Sequence, residues 1–135
     1  MSGTAIIYAS SLGGHVAATA KYMAGELEAD VFDLKKQTKI NLSSYDRVII
    51  GTGIHAGKPY GKVVSFVKDN KNVLGTKKTS LFICCIYKDS KGDAQCDRVS
   101  KSLGIDDAAY FPDGADTDEN GVKKDVASFI QRLKV

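Results

Sequence analysis

Hydrophobic positions along the chain fall either in short continuous runs or in stripes with helical spacing. Apolar runs occupy residues 5–9, 47–50, 79–87 and 108–111, and a partly polar run occupies residues 29–34. Runs without polar alternation are typical of parallel strands that helices cover on both faces. Between these runs and after the last one, most segments carry apolar residues every three or four positions, which predicts helices.

Five strands that alternate with helices predict a doubly wound α/β sandwich of three layers. Its five-stranded parallel sheet is expected to have the strand order 2-1-3-4-5. At 135 residues the chain has the length of one domain, and we assign residues 1–135 to it. The helical stripes are Val16, Ala20, Met23 and Leu27; Val63, Phe66 and Val67; Cys96, Val99 and Leu103; and Val126, Phe129, Ile130 and Leu133.

The junction after the first strand is a candidate phosphate site. Residues 10–15 read Ser-Ser-Leu-Gly-Gly-His and lead directly into a helical pattern. Hydroxyl groups and unhindered backbone amides at a helix N-terminus attract anions. The junction matches neither GxxxxGK[ST] nor GxGxxG. The alternative is that Ser10 and Ser11 only cap the helix and the glycines only form a turn.

Two further loops are expected at the same edge of the sheet, because ligands of such folds bind beyond the carboxyl ends of the strands. Residues 51–57 contain three glycines, which lets the backbone approach a flat ligand closely. The other loop begins at Tyr87, after the fourth strand. The predicted binding crevice lies where the strand order reverses, between the first and third strands.

Composition excludes several classes of protein. Hydrophobic residues make up 43% and charged residues 26% of the chain, which is ordinary for a globular protein. No segment approaches the ~20 apolar residues of a membrane helix. The net charge of +3 lacks the aromatic-interleaved basic stripe that binds nucleic acid. Three cysteines without a CxxC pair favour a reducing compartment, so we expect a cytoplasmic protein without a membrane span or a nucleic-acid partner.

One segment has a partial metal-binding pattern. Residues 116–121 match the oxygen positions and the glycine in the first half of a calcium loop, but the twelfth position holds Ala127 instead of glutamate. A solvated turn explains the segment better, and we predict no metal site.

These three loops resemble the flavodoxin family, whose phosphate loop reads (Ser/Thr)-x-Thr-Gly-x-Thr after the first strand. Ser10 and Gly13 agree with that pattern, whereas Leu12 and His15 stand where the family has threonine. The segment 45–57, YDRVIIGTGIHAG, is similar to the YDxVIIGxxIxxG segment of the branch that includes the menaquinone-dependent protoporphyrinogen dehydrogenases. The resemblance covers most of the chain up to about Tyr87.

The resemblance implies flavin mononucleotide (FMN) as the cofactor, with its phosphate at residues 10–15 and its isoalloxazine ring between the second and third loops. Tyr87 is the expected stacking residue, with Tyr60 in reserve, and His55 is expected either to stack in its place or to donate to the ring edge. The residues implied in cofactor binding are Ser10, Ser11, Leu12, Gly13, Gly14, His15, Thr52, Gly53, Ile54, His55, Ala56, Gly57, Cys85, Ile86 and Tyr87.

The implied function is electron transfer between redox partner proteins. Two alternatives stay open: a flavin-dependent oxidoreductase related to the protoporphyrinogen dehydrogenases, and a flavin-free interaction module, which the absent threonines favour. A response-regulator receiver needs carboxylates where this chain has Ser10 and Gly51. A small tyrosine phosphatase needs a Cys-x5-Arg loop after its first strand, and the chain has none. No catalytic side chains are predicted.

Overall fold

The structure is a computed structural model that describes residues 3–10, 14–55, 57–85, 89–112, 119 and 123–134. Within these ranges, the side chains of Cys85, Asp89 and Pro112 are not described. None of the helices in this part of the chain is both long enough and apolar enough to cross a membrane.

The core of the fold is a parallel sheet whose strand order confirms the predicted topology. The order is β2-β1-β3-β5-β6, and the short strand β4 pairs with β3 from outside this path. If β4 is left out, this is the predicted order 2-1-3-4-5. The strands are β1 (Thr4–Tyr8), β2 (Asp30–Asp33), β3 (Arg47–His55), β4 (Lys58–Pro59), β5 (Lys78–Cys85) and β6 (Asp107–Pro112).

Helices cover both faces of the sheet and complete the three predicted layers. Helices α1 and α5 pack on one face, and α2, α3 and α4 pack on the other. The predicted apolar stripe of α5 is buried throughout, as is that of α1 up to Met23. The helices are α1 (His15–Leu27), α2 (Gly61–Asp69), α3 (Lys71–Leu74), α4 (Asp89–Leu103) and α5 (Lys124–Lys134).

The structure corrects the expected end of the third parallel strand. The apolar run ends at Ile50, but β3 continues to His55 and pairs antiparallel with β4 through Ile54–Pro59 and His55–Lys58. Residues 52–55 are therefore strand and not loop. The sequence pattern did not predict residues 51–55 as strand, because glycine and threonine interrupt the apolar run. Neither residue prevents strand hydrogen bonds.

Close packing of β5 on β3 depends on a glycine. Gly51 is the strand partner of Phe82, and a Cβ atom at Gly51 would lie 2.2 Å from Phe82 Cζ. The Phe82 ring stacks on Phe111 with centroids 5.8 Å apart, and Phe111 meets Phe129 of α5 edge-on at 5.7 Å. Because Gly51 has no side chain, there is room for the three packed rings of Phe82, Phe111 and Phe129, through which α5 packs on the sheet.

A polar network ties α5 to the opposite, amino-terminal edge of the sheet. Ser80 Oγ donates a 2.6 Å hydrogen bond to Asp107 Oδ2, and Arg132 pairs with the other oxygen of that carboxylate. Arg47 donates to the carbonyl of Leu133 near the end of α5. Burial alone would raise the pKa of Asp107, but the hydrogen bonds from Arg132 and Ser80, with the charges of Arg132 and Arg47, lower it.

We expect Gly51→Ala to lower the free energy of unfolding by about 1–3 kcal/mol, because the new methyl group overpacks the Phe82 ring. Urea denaturation measures the change. Gly25→Ala is the matched control, since Gly25 lies in α1 with no atom within 4 Å of its Cβ position. That substitution should raise the free energy of unfolding by about 0.5–1 kcal/mol. Equal stability of the two variants would contradict the packing argument.

We expect acid to destabilise the protein partly through Asp107. Its pKa in the folded protein lies below the unfolded value of 3.8. Its stabilising contribution is therefore complete above that value and is lost as the pH falls through the folded pKa. Asp107→Asn should flatten the fall in melting temperature between about pH 5 and pH 3. Asp97→Asn is the control, because Asp97 is an exposed partner of Lys101 on α4; a slope unchanged in Asp107→Asn would refute the assignment.

Candidate functional site

The carboxyl ends of the three central parallel strands meet at one edge of the sheet. Tyr8 of β1 pairs with Gly51 of β3, and Gly53 of β3 pairs with Cys84 of β5. Because these strands are parallel, the carboxyl ends of β1 and β5 lie at the same edge of the sheet as the extended end of β3. The strand ends from which the three predicted loop regions start therefore lie together, at the reversal of strand order.

The first region is built around the N-terminus of α1. Ser10 is buried, with 9% of its surface exposed, and its Oγ accepts a 3.3 Å hydrogen bond from the backbone N–H of Ala17. Gly14 is the N-cap residue with φ +71°, and open space surrounds its Cβ position. His15 is exposed at the first helical position. Ser10 therefore satisfies one backbone N–H in the first turn of α1, while the alternative that Ser10 and Ser11 only cap the helix stays untested.

The electrostatics of this helix end favour an anion. No acidic residue lies in the first turn of α1, so no side chain there opposes the positive end of the helix dipole. The left-handed conformation of Gly14 is costly for other residues. Ser11, Leu12 and Gly13 lie outside the described residues, and their predicted contacts stay predictions.

The second region is the hairpin of β3 and β4. Thr52 is fully buried; its Oγ1 donates to the Gly53 carbonyl at 2.8 Å and accepts from the Tyr60 backbone N–H at 3.1 Å. The Thr52 hydroxyl is therefore used within the hairpin and fixes its shape. Gly57 turns the chain with φ +77° and has open space at its Cβ position. Ile54 is half-buried and His55 is exposed, while Ala56 lies outside the described residues.

Tyr60 covers the base of this hairpin. A Cβ atom at Gly53 would lie 2.4 Å from Tyr60 Oη, so glycine is needed for the ring to lie against the strand. Tyr60 is half-buried and packs against the apolar clusters on both faces of the sheet. A side chain can reach both clusters where it crosses the end of the sheet. The reserve stacking residue of the sequence analysis therefore lies at the candidate site.

The third region follows β5. The backbone of Cys85 ends the strand, and α4 begins at Asp89. Ile86 and Tyr87 lie outside the described residues, as does the side chain of Cys85. The stacking role of Tyr87 stays a prediction.

Two polar features near this edge were missed by the sequence analysis. Tyr8, which ends the first apolar run, is 4% exposed and is the strand partner of Asp33. Burial, followed by the charge of Asp33 and a hydrogen bond to it, raises the pKa of the Tyr8 hydroxyl. The phenol is therefore a stable neutral donor. The sequence could have predicted this pairing, because Tyr8 and Asp33 both lie near the ends of neighbouring predicted strands.

The other feature is Gln95, which is 3% exposed. Within the described part of the chain, no group donates a hydrogen bond to its Oε1 atom. Gln95 lies one helical turn before Val99, and this spacing could have predicted its burial.

Metal ligands do not converge in the described structure. Among the described residues, no group of three or more His, Cys, Asp or Glu side chains could hold a metal ion. The calcium-like segment 116–121 lies outside these residues except for Glu119.

A comparison with protein families matches the profile described as "Flavodoxin domain" to residues 5–119. This range includes all three candidate regions. A comparison with curated proteins finds no match.

Solved structures with the same fold cover nearly the whole chain. The FMN-bound flavodoxin of Fusobacterium nucleatum is 14% identical with a TM-score of 0.67, and the match covers 99% of this chain and 98% of that one. Oxidised flavodoxin 1 of Bacillus cereus is 21% identical with a TM-score of 0.65, covering 97% and 94%. Rubredoxin oxygen:oxidoreductase of the anaerobe Desulfovibrio gigas is 13% identical with a TM-score of 0.68, covering 98% of this chain and 34% of that one. This chain therefore spans about a third of the length of that protein.

Proposed function

The chain belongs to the flavodoxin-domain family, and we propose that it binds FMN noncovalently and carries electrons between redox partner proteins. The observation that carries this proposal is the placement of the α1 N-terminus beside the β3–β4 hairpin at the reversal of strand order. One region suits a phosphate and the other suits a flat ring. Both lie where ligands of doubly wound folds bind.

The residues at the first region fit the phosphate group. Gly14 leaves open space beside the helix end, and the first turn carries no acidic residue. Backbone N–H groups of residues 11–15 would hold the phosphate in place of the threonine hydroxyls that Leu12 and His15 lack. A protonated His15 would add charge, since its side chain is exposed at this helix end.

The residues of the hairpin fit the isoalloxazine ring. Thr52 locks the hairpin through two hydrogen bonds, so the backbone from Gly53 to Gly57 is presented as a fixed edge. Gly57 adds an open face without a side chain. When bound, the flavin supplies the electron-transfer chemistry, and the protein holds and orients it.

The proposal places the protein among electron carriers and in the cytoplasm. The redox chemistry rests on the cofactor, because no catalytic side chains are predicted in the three regions. The chain has three cysteines and no CxxC pair, which suits a reducing compartment. A flavin-free interaction module is the second candidate. The replacement of the family's threonines by Leu12 and His15 favours it, because two phosphate-binding hydroxyls are then missing.

We expect the purified protein to retain FMN after excess cofactor is removed, with visible absorption bands shifted from those of free FMN. Riboflavin, which lacks the phosphate, should bind more weakly. Gly13→Asp should weaken FMN binding about a hundredfold or more, because hydrogen bonds to a charged group are worth roughly 1.5–3 kcal/mol each.

Gly25→Asp is the matched control for that experiment, since Gly25 lies near the other end of α1 in open space. It should bind FMN as the wild type does. A colourless protein that never retains FMN would overturn the proposal in favour of the flavin-free module. Equal affinities for riboflavin and FMN would overturn the phosphate assignment alone.

We expect Tyr87→Ala to increase the fluorescence of bound FMN and to shift its reduction potential, because an aromatic ring stacked on the flavin quenches it and disfavours the electron-rich reduced form. Fluorescence and potentiometric titration measure these changes. Tyr22→Ala is the control, because Tyr22 is exposed on α1 and bonds Glu26. If the spectrum and potential of Tyr87→Ala match the wild type, the stacking role passes to Tyr60 or His55.

A further inference from the structure

A cavity lies on the face of the sheet that α2 and α4 cover. It has a volume of about 830 Å³ and lies between the β3–β4 hairpin, α2 and α4. This volume is within the roughly 300–1,000 Å³ of small-molecule sites. None of the residues assigned to the phosphate region contributes to its described lining.

The described walls of this cavity are predominantly apolar. Pro59 of the hairpin, Val64 of α2, and Val99 and Leu103 of α4 line it. Val99 and Leu103 are also core residues, so the floor of the cavity is the rigid core itself. Val64 is 41% exposed, which leaves apolar surface for a ligand to cover.

Two cations also line the cavity, together with Gly57, Gly61, Ser65 and Ser102. Lys58 comes from the hairpin and Arg98 from α4, and neither has an anionic partner in the described structure. The ion pairs recorded among described residues join Lys101 to Asp97 and Arg132 to Asp107. No Asp or Glu is found among the described lining residues. Both cations are exposed, so each contributes a modest attraction for an anion.

The other large cavity gives a comparison within the same molecule. It has a volume of about 560 Å³ and lies beside β6 between α4 and α5. Four carboxylates line it, from Asp93, Asp97, Asp106 and Asp125, with Arg132 as the basic residue. The carboxylates of that surface repel organic anions. The two cavities therefore differ in the sign of their charge, and only the 830 Å³ cavity has cations without carboxylates among its described lining residues.

We propose that the cavity between the hairpin, α2 and α4 binds an amphipathic organic anion, with its hydrocarbon chain against Val64, Val99 and Leu103 and its carboxylate near Lys58 and Arg98. The apolar floor provides the burial that drives binding, and the two cations select the charge of the head group. This site differs from the proposed FMN site in its ligand and in Val64, Arg98, Val99 and Leu103, whereas Gly57 belongs to both.

Sodium decanoate below its micellar concentration is the probe, followed by calorimetry and by amide chemical shifts. Decanoate should bind and shift amides of α2 and α4 in the apoprotein and in protein incubated with FMN. Decyltrimethylammonium, which has the same chain and the opposite charge, should bind much more weakly. Binding to the apoprotein tests this site even if FMN is never retained.

Four variants locate the site. Val64→Asp should weaken decanoate binding at least about tenfold through lost apolar contact and charge repulsion. Val73→Asp is its control, because Val73 is 43% exposed on α3 and does not line the cavity. Arg98→Gln should weaken binding roughly fivefold, the upper range for an exposed ion pair. Lys101→Gln, on the same helix and paired with Asp97, should not.

The proposal is overturned if decanoate produces no heat and no shifts, or if Val64→Asp and Val73→Asp bind it equally. Equal binding of the cationic probe would show that Lys58 and Arg98 do not select the head group and would overturn it as well. Shifts confined to the N-terminus of α1 would place the ligand at the phosphate region and refute the site.

Discussion

Strand β3 is the element on which the other parts of the structure depend, because it is hydrogen bonded along both sides and lacks side chains where its neighbours need space. It pairs with β1 and β5 along most of its length and with β4 at its end. Gly51 admits the Phe82 ring, and Gly53 admits the ring of Tyr60. A larger residue at either position would displace an aromatic ring from the core or from the candidate site.

The extension of β3 also connects the core to function. Its last residues form one arm of the hairpin, and Thr52 holds the other arm from inside by bonding the backbone of Tyr60. The strand pairing and this hydrogen bond together fix the backbone of the hairpin. A rigid backbone edge can bind a flat cofactor without first losing conformational entropy, which is the benefit of preorganisation.

Charge is arranged unevenly around this framework. The α1 N-terminus lacks acidic residues, and Lys58 and Arg98 line the 830 Å³ cavity, whereas carboxylates line the cavity beside β6. The net charge of +3 reveals none of this separation. Anionic ligands and anionic partner surfaces are thus favoured on the side of the hairpin and disfavoured at the β6 edge.

The sequence by itself determined the layers and the strand order. Continuous apolar runs and helical stripes depend on local periodicity, which is present in the chain before it folds. The junction at residues 10–15 and the glycines from Gly51 to Gly57 are predicted to bind a ligand because of their residue types and their positions after predicted strands, and that assignment stays a prediction. The family match over residues 5–119 agrees with the predicted fold.

The tertiary structure alone decided which groups are free and which are already used. Only the fold shows that Ser10 accepts a hydrogen bond from Ala17 of α1, that Thr52 is bonded within the hairpin, and that the buried Gln95 Oε1 has no donor among the described residues. The pairing of Tyr8 with Asp33 and the cavity between α2 and α4 are likewise contacts between distant segments. Hydrogen-bond partners, burial and cavities depend on residues far apart in the chain, and periodicity carries no information about them.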